Sequence, residues 1–306
     1  MERKRAVVTG ATSFLGSATV NALLAQDYDV TAVVRPGSLN LERLPEDDDR
    51  LWYVPLKLKD YDKLEKYVPQ GDVLFHFAWD GTTPESRNDP EIQAENVRHA
   101  YEALAAAAHM GVKRFVFAGS QAEYGVHTGP MDEETPLVPR SEYGKAKLAF
   151  GQAGLRFAGE RGFDFTHLRV FSVYGAGEGT STLVSGCIRT FLEDGDMRLS
   201  AATQTWNYLN IHDFAGLMER VAEAEKGKAH GVYNVGSLDT RVLRAFIEEM
   251  HTLCGGRGRC LYGEPADRPE GDVQLAPVIT KAMETFRWKP TVPFQEGVEE
   301  MIALYR

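Results

Sequence analysis

Thr9-Gly10-Ala11-Thr12-Ser13-Phe14-Leu15-Gly16 decides the reading of this chain. The apolar run Ala6-Val7-Val8 precedes it as a short strand pattern, and a helical pattern follows over 14–26. Gly10 permits the tight turn of a strand-to-helix junction, and Gly16 lets the helix lie close on a sheet. The free N–H groups and positive dipole end of such a helix suit a pyrophosphate. A bare βα loop carries glycines too, but this one opens an alternating chain.

Working outward, strand patterns follow at 29–34, 51–55, 73–78, 114–118 and 165–168, with helical patterns at 90–109 and from Ser141 onward. This alternation predicts an α/β fold, a doubly wound parallel sheet with helices on both faces. Val73-Leu74-Phe75 and Phe115-Val116-Phe117 suit strands buried on both sides. After about Val170 the pattern loosens. A Gly-rich loop at 174–180 leads to a helix after His212, a strand at 232–235 and helices at 278–286 and 294–305. The expected division is a dinucleotide-binding domain over 1–170. Residues 171–306 are then mainly a smaller, loop-rich C-terminal substrate lobe, interleaved with late elements of the main domain.

Composition narrows the function. Of 306 residues, 34 are Lys or Arg and 44 Asp or Glu, a formal charge of -10, which argues against a nucleic-acid partner. Three cysteines without CxxC spacing fit a reduced, cytoplasmic protein. The charged N-terminus lacks a signal-peptide apolar segment, and no apolar run is long enough to span a bilayer. The eight histidines show no HxH or HExxH spacing, so no metal is expected, and no GxSxG elbow occurs.

Tyr143-Gly144-Lys145-Ala146-Lys147 places Tyr143 and Lys147 one helical turn apart on one face. Reducing a ketone requires a proton donor beside its oxygen, and oxidising an alcohol requires the same group as a base. A phenol, with a reference pKa of about 10, does neither well until a nearby ammonium favours its phenolate. Ser120 closes the fifth strand pattern, at the end of the sheet where ligands bind. Its hydroxyl can stabilise charge developing on a substrate oxygen. At the end of the second strand stands Arg35, where an acidic residue would accept from a ribose 2′-hydroxyl. A guanidinium pairs instead with a 2′-phosphate, with Ser38 and Arg43 close by in sequence. The expected cofactor is NADP, with NAD as the alternative if Arg35 is only a solvated surface residue.

In order and context, the glycine turn, the S-x-x-x-Y-G segment Ser120-Gln121-Ala122-Glu123-Tyr124-Gly125 and the Tyr143/Lys147 pair resemble the extended short-chain dehydrogenases/reductases. These are the NAD(P)-dependent epimerase/dehydratase family of nucleotide-sugar-modifying enzymes. The resemblance covers nearly the whole chain and implies a Rossmann-type domain with catalytic Ser120, Tyr143 and Lys147. It also implies cofactor contacts from Gly10, Thr12, Ser13, Phe14, Leu15, Gly16, Arg35, Leu58, Tyr143 and Lys147. Phe77, Ala78 and Trp79 follow the fourth-strand signature, and Phe171 and Val173 lie in the segment after the sixth strand that approaches the nicotinamide. Asn96 falls in the next helix, where an asparagine often supports the site; the alternative is a solvated helix residue. Trp79, Gln121 and Arg268 are the implied substrate contacts, Arg268 on a sugar-nucleotide diphosphate unless it is an exposed loop arginine. The chain departs from the family pattern at Ser13, where a glycine is usual, and at Lys57, where an acidic residue often faces the adenine. Asp60 is expected to cap the next helix.

The family's 4,6-dehydratases carry an Asp-Glu pair after the catalytic hydroxyl. Gln121 and Ala122 stand there, which argues against dehydration and leaves Glu123 a structural residue. The expected activity is reduction of a nucleoside-diphosphate-4-keto-6-deoxyhexose. The alternatives are a nucleotide-sugar 4-epimerase with tightly bound NAD and a non-enzymatic dinucleotide-sensing module, against which the Tyr/Lys pair speaks. A homodimer through the helices near 90–109 and 141–160 is expected by analogy.

Overall fold

The computed structural model describes residues 3–264 and 273–306. Its first half runs β1 (Arg5–Thr9), α1 (Phe14–Ala25), β2 (Asp29–Val34), β3 (Leu51–Pro55), α2 (Leu64–Tyr67), β4 (Val73–His76), α3 (Pro90–His109), β5 (Arg114–Ser120), α4 (Glu142–Arg161) and β6 (Asp164–Val170). There follow β7 (Ser172–Tyr174), α5 (Leu183–Leu192), β8 (Met197–Leu199), β9 (Thr205–Asn210), α6 (Ile211–Glu223), β10 (Gly231–Val235), β11 (Thr240–Val242), α7 (Leu243–Leu253), β12 (Cys260–Tyr262), α8 (Thr280–Phe286) and α9 (Phe294–Tyr305).

The central sheet has the order β10-β6-β5-β4-β1-β2-β3, parallel throughout. The inner strands β1, β4 and β5 are largely apolar on both sides because both sides are covered, whereas the edge strand β3 is largely exposed. On one face Val8, Val20, Leu23, Val30, Leu217, Met218 and Phe286 form a core under α1, α6 and α8. On the other, Val7, Leu74, Ala103, Leu104, Phe115, Phe117, Phe150 and Phe165 form a core under α3 and α4. The strand order reverses between β1 and β4, and such a switch point opens a crevice beyond the strands' carboxyl ends. Ser13, Asp89 and Ser141 cap α1, α3 and α4 through their side chains, Pro90 starts α3, and left-handed Gly162 stops α4.

The lobe contains the sheet β11-β9-β7 and the pair β12-β8. Its core gathers Phe191, Tyr208, Phe246, Ile247, Phe294 and Val298. Among the described residues no helix is long and apolar enough to cross a membrane.

The structure corrects several boundaries. β5 runs two residues past 118, and β6 extends beyond 165–168 at both ends, with Ser120 opposite Val170. In β6 the polar Asp164 and Arg169, buried in networks of their own, concealed the ends, and in β5 the missed residues are Gly119 and Ser120. β4 stops at His76, although the Phe77 N–H still donates to Thr9 O at 3.1 Å. Asp60 caps nothing. It accepts from Lys63 Nζ at 2.8 Å, and α2 begins after Lys63 without a side-chain cap.

At the opposite end of the sheet, Arg114 NH2 donates to Asp164 Oδ2 at 2.9 Å with both side chains 3% exposed. The same guanidinium donates to the carbonyls of Val221, Ala224 and Glu225, and the Gly227 N–H donates to Asp164. The pair thus ties β5 and β6 to the connection between α6 and β10. Breaking it leaves a buried guanidinium uncompensated. Asp164→Ala should lower the unfolding free energy in a urea titration by about 3–5 kcal/mol; a loss below about 1 kcal/mol would show the tie to be dispensable.

Candidate active site

The glycine turn is built by close approach. Gly10 has φ +66°, and a Cβ there would lie 2.7 Å from Ala78 N, so the turn rests on the backbone that follows β4. A Cβ on Gly16 would lie 2.2 Å from Gly10 O. Ser13 needs no glycine conformation, with φ -72°. Its hydroxyl accepts from the Gly16 N–H at 3.1 Å, so the family's middle glycine is replaced by a helix cap.

Beyond the turn lies a cleft of about 400 Å³. Of the expected residues, Gly10, Thr12, Ser13, Arg35, Leu58, Phe77, Ala78 and Trp79 line it. So do Val33, Ser38, Asn40, Lys57, Lys59, Tyr61, Asp80 and His99. The lining is therefore basic where Arg35, Lys57 and Lys59 contribute to it, and it also includes the carboxylate of Asp80. Arg43 does not line the cleft but braces its turn: its NH1 donates to Thr12 O at 3.3 Å, while Thr12 and Ser38 share a hydroxyl hydrogen bond of 3.0 Å. Phe14, Leu15 and Val173 are half-buried against the core beside the turn. Phe171 is buried with Tyr124, Met131 and Leu275. Gln121 borders a separate small crevice with Ala122, Gly125, Arg140, Ser141 and Val273. Arg268 lies outside the described residues. The close-fitting glycine cradle, the α1 N-terminus and the volume of the cleft fit a dinucleotide.

Asn96 does not line this cleft. Its Oδ1 accepts from the Asp80 N–H at 2.9 Å and its Nδ2 donates to Asp80 O at 2.8 Å. Gln93, one turn earlier on α3, accepts from Trp79 Nε1 at 2.9 Å and donates to Gly81 O at 2.8 Å. Both amides are 2% exposed, and together they fix residues 79–81 from behind.

Ser120, Tyr143 and Lys147 do not line the cleft either; Tyr143 and Lys147 lie against Trp79, which does, and Ser120 ends the neighbouring strand. Lys147 Nζ donates to Ala118 O at 2.8 Å. It lies 3.8 Å from the Trp79 ring centroid, 4.8 Å from that of Phe117 and 5.5 Å from that of Tyr143. Burial pushes its ammonium down to about 7, and the negative charge of Glu123 opposes that descent. The Tyr143 ring meets Trp79 edge-on with centroids 6.4 Å apart, and the Arg87 guanidinium sits 4.5 Å from it. The Tyr143 N–H donates to Arg87 O at 2.9 Å. Ser120 ends β5, and its Oγ accepts from the Ala122 N–H at 3.1 Å, so its own O–H remains to donate to a substrate. A Cβ on Gly144 would lie 2.5 Å from Ala122 O, so the first turn of α4 presses on the turn after Ser120. The set offers a phenol beside an ammonium that titrates near neutrality, with a hydroxyl donor on the adjoining strand end.

Sequence reasoning missed Arg87 and Gln93. Gln93 and Asn96, three residues apart on the buried face of a helix, are a signal that could have been seen; Arg87, in a loop, gives none. Among the described residues no cluster of three or more His, Cys, Asp or Glu could hold a metal ion.

The profile of the NAD dependent epimerase/dehydratase family matches residues 6–236. A UDP-glucose 4-epimerase of Corynebacterium glutamicum is 28% identical over 304 residues, covering 93% of this chain and 90% of that protein. A dTDP-6-deoxy-L-talose 4-dehydrogenase (NAD(+)) of Aggregatibacter actinomycetemcomitans is 26% identical over 245 residues, covering 79% and 88%. The solved UDP-glucose 4-epimerase of Thermus thermophilus, in complex with NAD, superposes with a TM-score of 0.82 at 22% identity, covering 98% of each chain.

The cradle makes a direct prediction. In Gly10→Ala, the positive φ costs about 1–2 kcal/mol and the new Cβ pushes Ala78 away. Affinity for NADH, read by ligand fluorescence, should fall at least about tenfold; unchanged affinity would remove Gly10 from the cofactor site.

Proposed function

The chain belongs to the NAD dependent epimerase/dehydratase family, and from that premise we propose that it inverts C4 of a nucleoside-diphosphate sugar, as a 4-epimerase. The observation that carries this reading is the buried Lys147 ammonium, which lies against Tyr143 and against Trp79, a residue lining the glycine-turn cleft, and is held by the carbonyl of Ala118 on the strand that ends at Ser120. Support also comes from the 4-epimerase of similar length reported above. A nicotinamide bound in the cleft would supply reversible hydride transfer. Tyr143 takes the proton of the C4 hydroxyl as that carbon is oxidised and returns it on reduction. Lys147 favours the phenolate and is positioned to hold ribose hydroxyls. Ser120 donates to the C4 oxygen as its charge develops. Dehydration lacks its acid and base, since Gln121 and Ala122 are not acids and Glu123 is fully buried on His167 and Arg169.

A second reading has its own observation. Arg35, Lys57 and Lys59 at the adenosine end suit the 2′-phosphate of an exchangeable NADPH. On that reading the chain reduces a nucleoside-diphosphate-4-keto-6-deoxyhexose, with the same three residues in the same roles. The similarity to a 4-dehydrogenase of a 6-deoxy sugar nucleotide agrees with it. A homodimer through α3 and α4, which pack side by side, belongs to either reading, as does a cytoplasmic setting for the free thiols of Cys187, Cys254 and Cys260.

The absorbance and mass of any nucleotide released on denaturing the purified protein separate the two. The 4-epimerase reading expects NAD to be released and UDP-glucose to be converted to UDP-galactose. Nucleotide-free protein that consumes NADPH with a 4-keto sugar nucleotide would contradict it in favour of the reductase. In either case Tyr143→Phe should lower turnover by about 10²–10⁴ while cofactor affinity stays within about twofold; retained turnover would refute the role of Tyr143.

A further inference from the structure

Three residues at the end of β5 join the site to the core. Ala118 O accepts from Lys147, and the Ser120 N–H donates to Glu123 Oε1 at 2.8 Å. Gly119 lies between them without room for a side chain, since a Cβ would sit 2.2 Å from His167 Nε2 and 2.5 Å from Glu123 Oε1. Glu123 is fully buried. Its Oε1 also accepts from His167 Nε2 at 2.9 Å, and its Oε2 from Arg169 Nε at 3.0 Å. Arg169 continues to the Tyr124 hydroxyl at 3.0 Å, which donates to Asn234 on β10 at 2.6 Å. His167 also reaches α4: a Cβ on Gly151 would lie 2.1 Å from its Cε1. Gly151 stands one turn beyond Lys147 on that helix.

We propose that Glu123 is the positioning residue of the reacting set. Its carboxylate holds Ser120 through the backbone N–H. Through His167 it sets the seating of the helix that carries Tyr143 and Lys147, and it is the buried negative charge that the Lys147 ammonium feels. This rests on the reading of Ser120, Tyr143 and Lys147 as the reacting groups, but not on which sugar they act upon.

The charges are consistent with this assignment. Burial alone would push the Glu123 carboxyl up, but His167 and Arg169 beside it bring it below its usual range. An anion fixed in this way opposes the loss of the Lys147 proton, against the burial that promotes it. The other titratable groups facing Lys147 are Tyr143 on its own helix and His76 on β4. Burial keeps His76 neutral, its value pushed down to about 3, and its Nδ1 is hydrogen-bonded to Thr9 Oγ1 at 2.9 Å. Glu123 is therefore the anion in this group at neutral pH. A neutral group filling the same space would leave Lys147 without this anion.

The test needs no substrate. The purified protein is labelled at lysine Cε with ¹³C, the Lys147 resonance is assigned with Lys147→Met, and its titration is followed by NMR. In Glu123→Gln the midpoint should fall by about one unit or more, since removing the anion disfavours the ammonium. Turnover on UDP-glucose, or on NADPH with a 4-keto sugar nucleotide, should lose at least about tenfold in kcat with KM within about twofold. Glu123→Asp keeps the charge but shortens its reach. Its Lys147 midpoint should stay within about 0.3 unit of the parent while kcat falls about fivefold. An unmoved Lys147 midpoint in folded Glu123→Gln would overturn the proposal. So would a fully active Glu123→Asp, which decides the matter if the Gln variant does not fold. Failure to turn over either sugar nucleotide in the parent protein would count against the proposed function alone, because the lysine titration is read without it.

Discussion

An ammonium buried in a protein requires either an anion or a set of dipoles and ring faces to receive it. Lys147 is 3% exposed, and it has one carbonyl and the faces of Trp79 and Phe117. The rest of the site depends on this constraint. The carbonyl belongs to Ala118, near the end of a strand buried up to its last residue, so the sheet must be complete before Lys147 has a partner. Trp79 must be held over the charge, and α3 does so through Gln93 and Asn96. The same burial that makes Lys147 costly in stability brings its proton affinity near neutrality, where it can act on Tyr143.

The glycine-turn end of the cleft follows a different logic. There the backbone makes the site, and side chains are kept away: Gly10 and Gly16 survive because a Cβ at either would strike a backbone atom. Ser13 enters this cradle without disturbing it because it sits in an extended conformation and turns its hydroxyl back to the helix N-terminus. The charge lies further out, on Arg35, Lys57 and Lys59. On the proposed reading, pyrophosphate and ribose would be recognised by separate residues, and the second set can vary without rebuilding the first.

What could be read in the sequence was what is local. The glycine turn, the first helix and the spacing of Tyr143 and Lys147 are each set within a short stretch of chain, and the alternation of strands and helices gave the parallel sheet. The ends of β6 were hidden because Asp164 and Arg169 are polar residues with partners far along the chain, and the end of β5 because Gly119 and Ser120 carry no strand pattern. For the same reason Glu123 read as structural: its tie to Ser120 is local, but its meaning comes from His167 and Arg169, more than forty residues later. Arg87 was invisible because a loop leaves no periodicity, and Asn96 was placed on the right helix but behind the cleft wall. The lobe blurred because β7, β8, β11 and β12 are three residues long, too short for alternation to register.

The central claim is that one cleft holds a dinucleotide from the Gly10 turn to the Tyr143 phenol. A crystal structure of the protein with bound NADH tests it most directly. The account predicts the pyrophosphate at the N-terminus of α1, the adenosine near Arg35 and Leu58, and the nicotinamide ribose within hydrogen-bonding reach of Lys147. A nicotinamide ring seated elsewhere, with the Tyr143 hydroxyl turned out of the cleft, would contradict it.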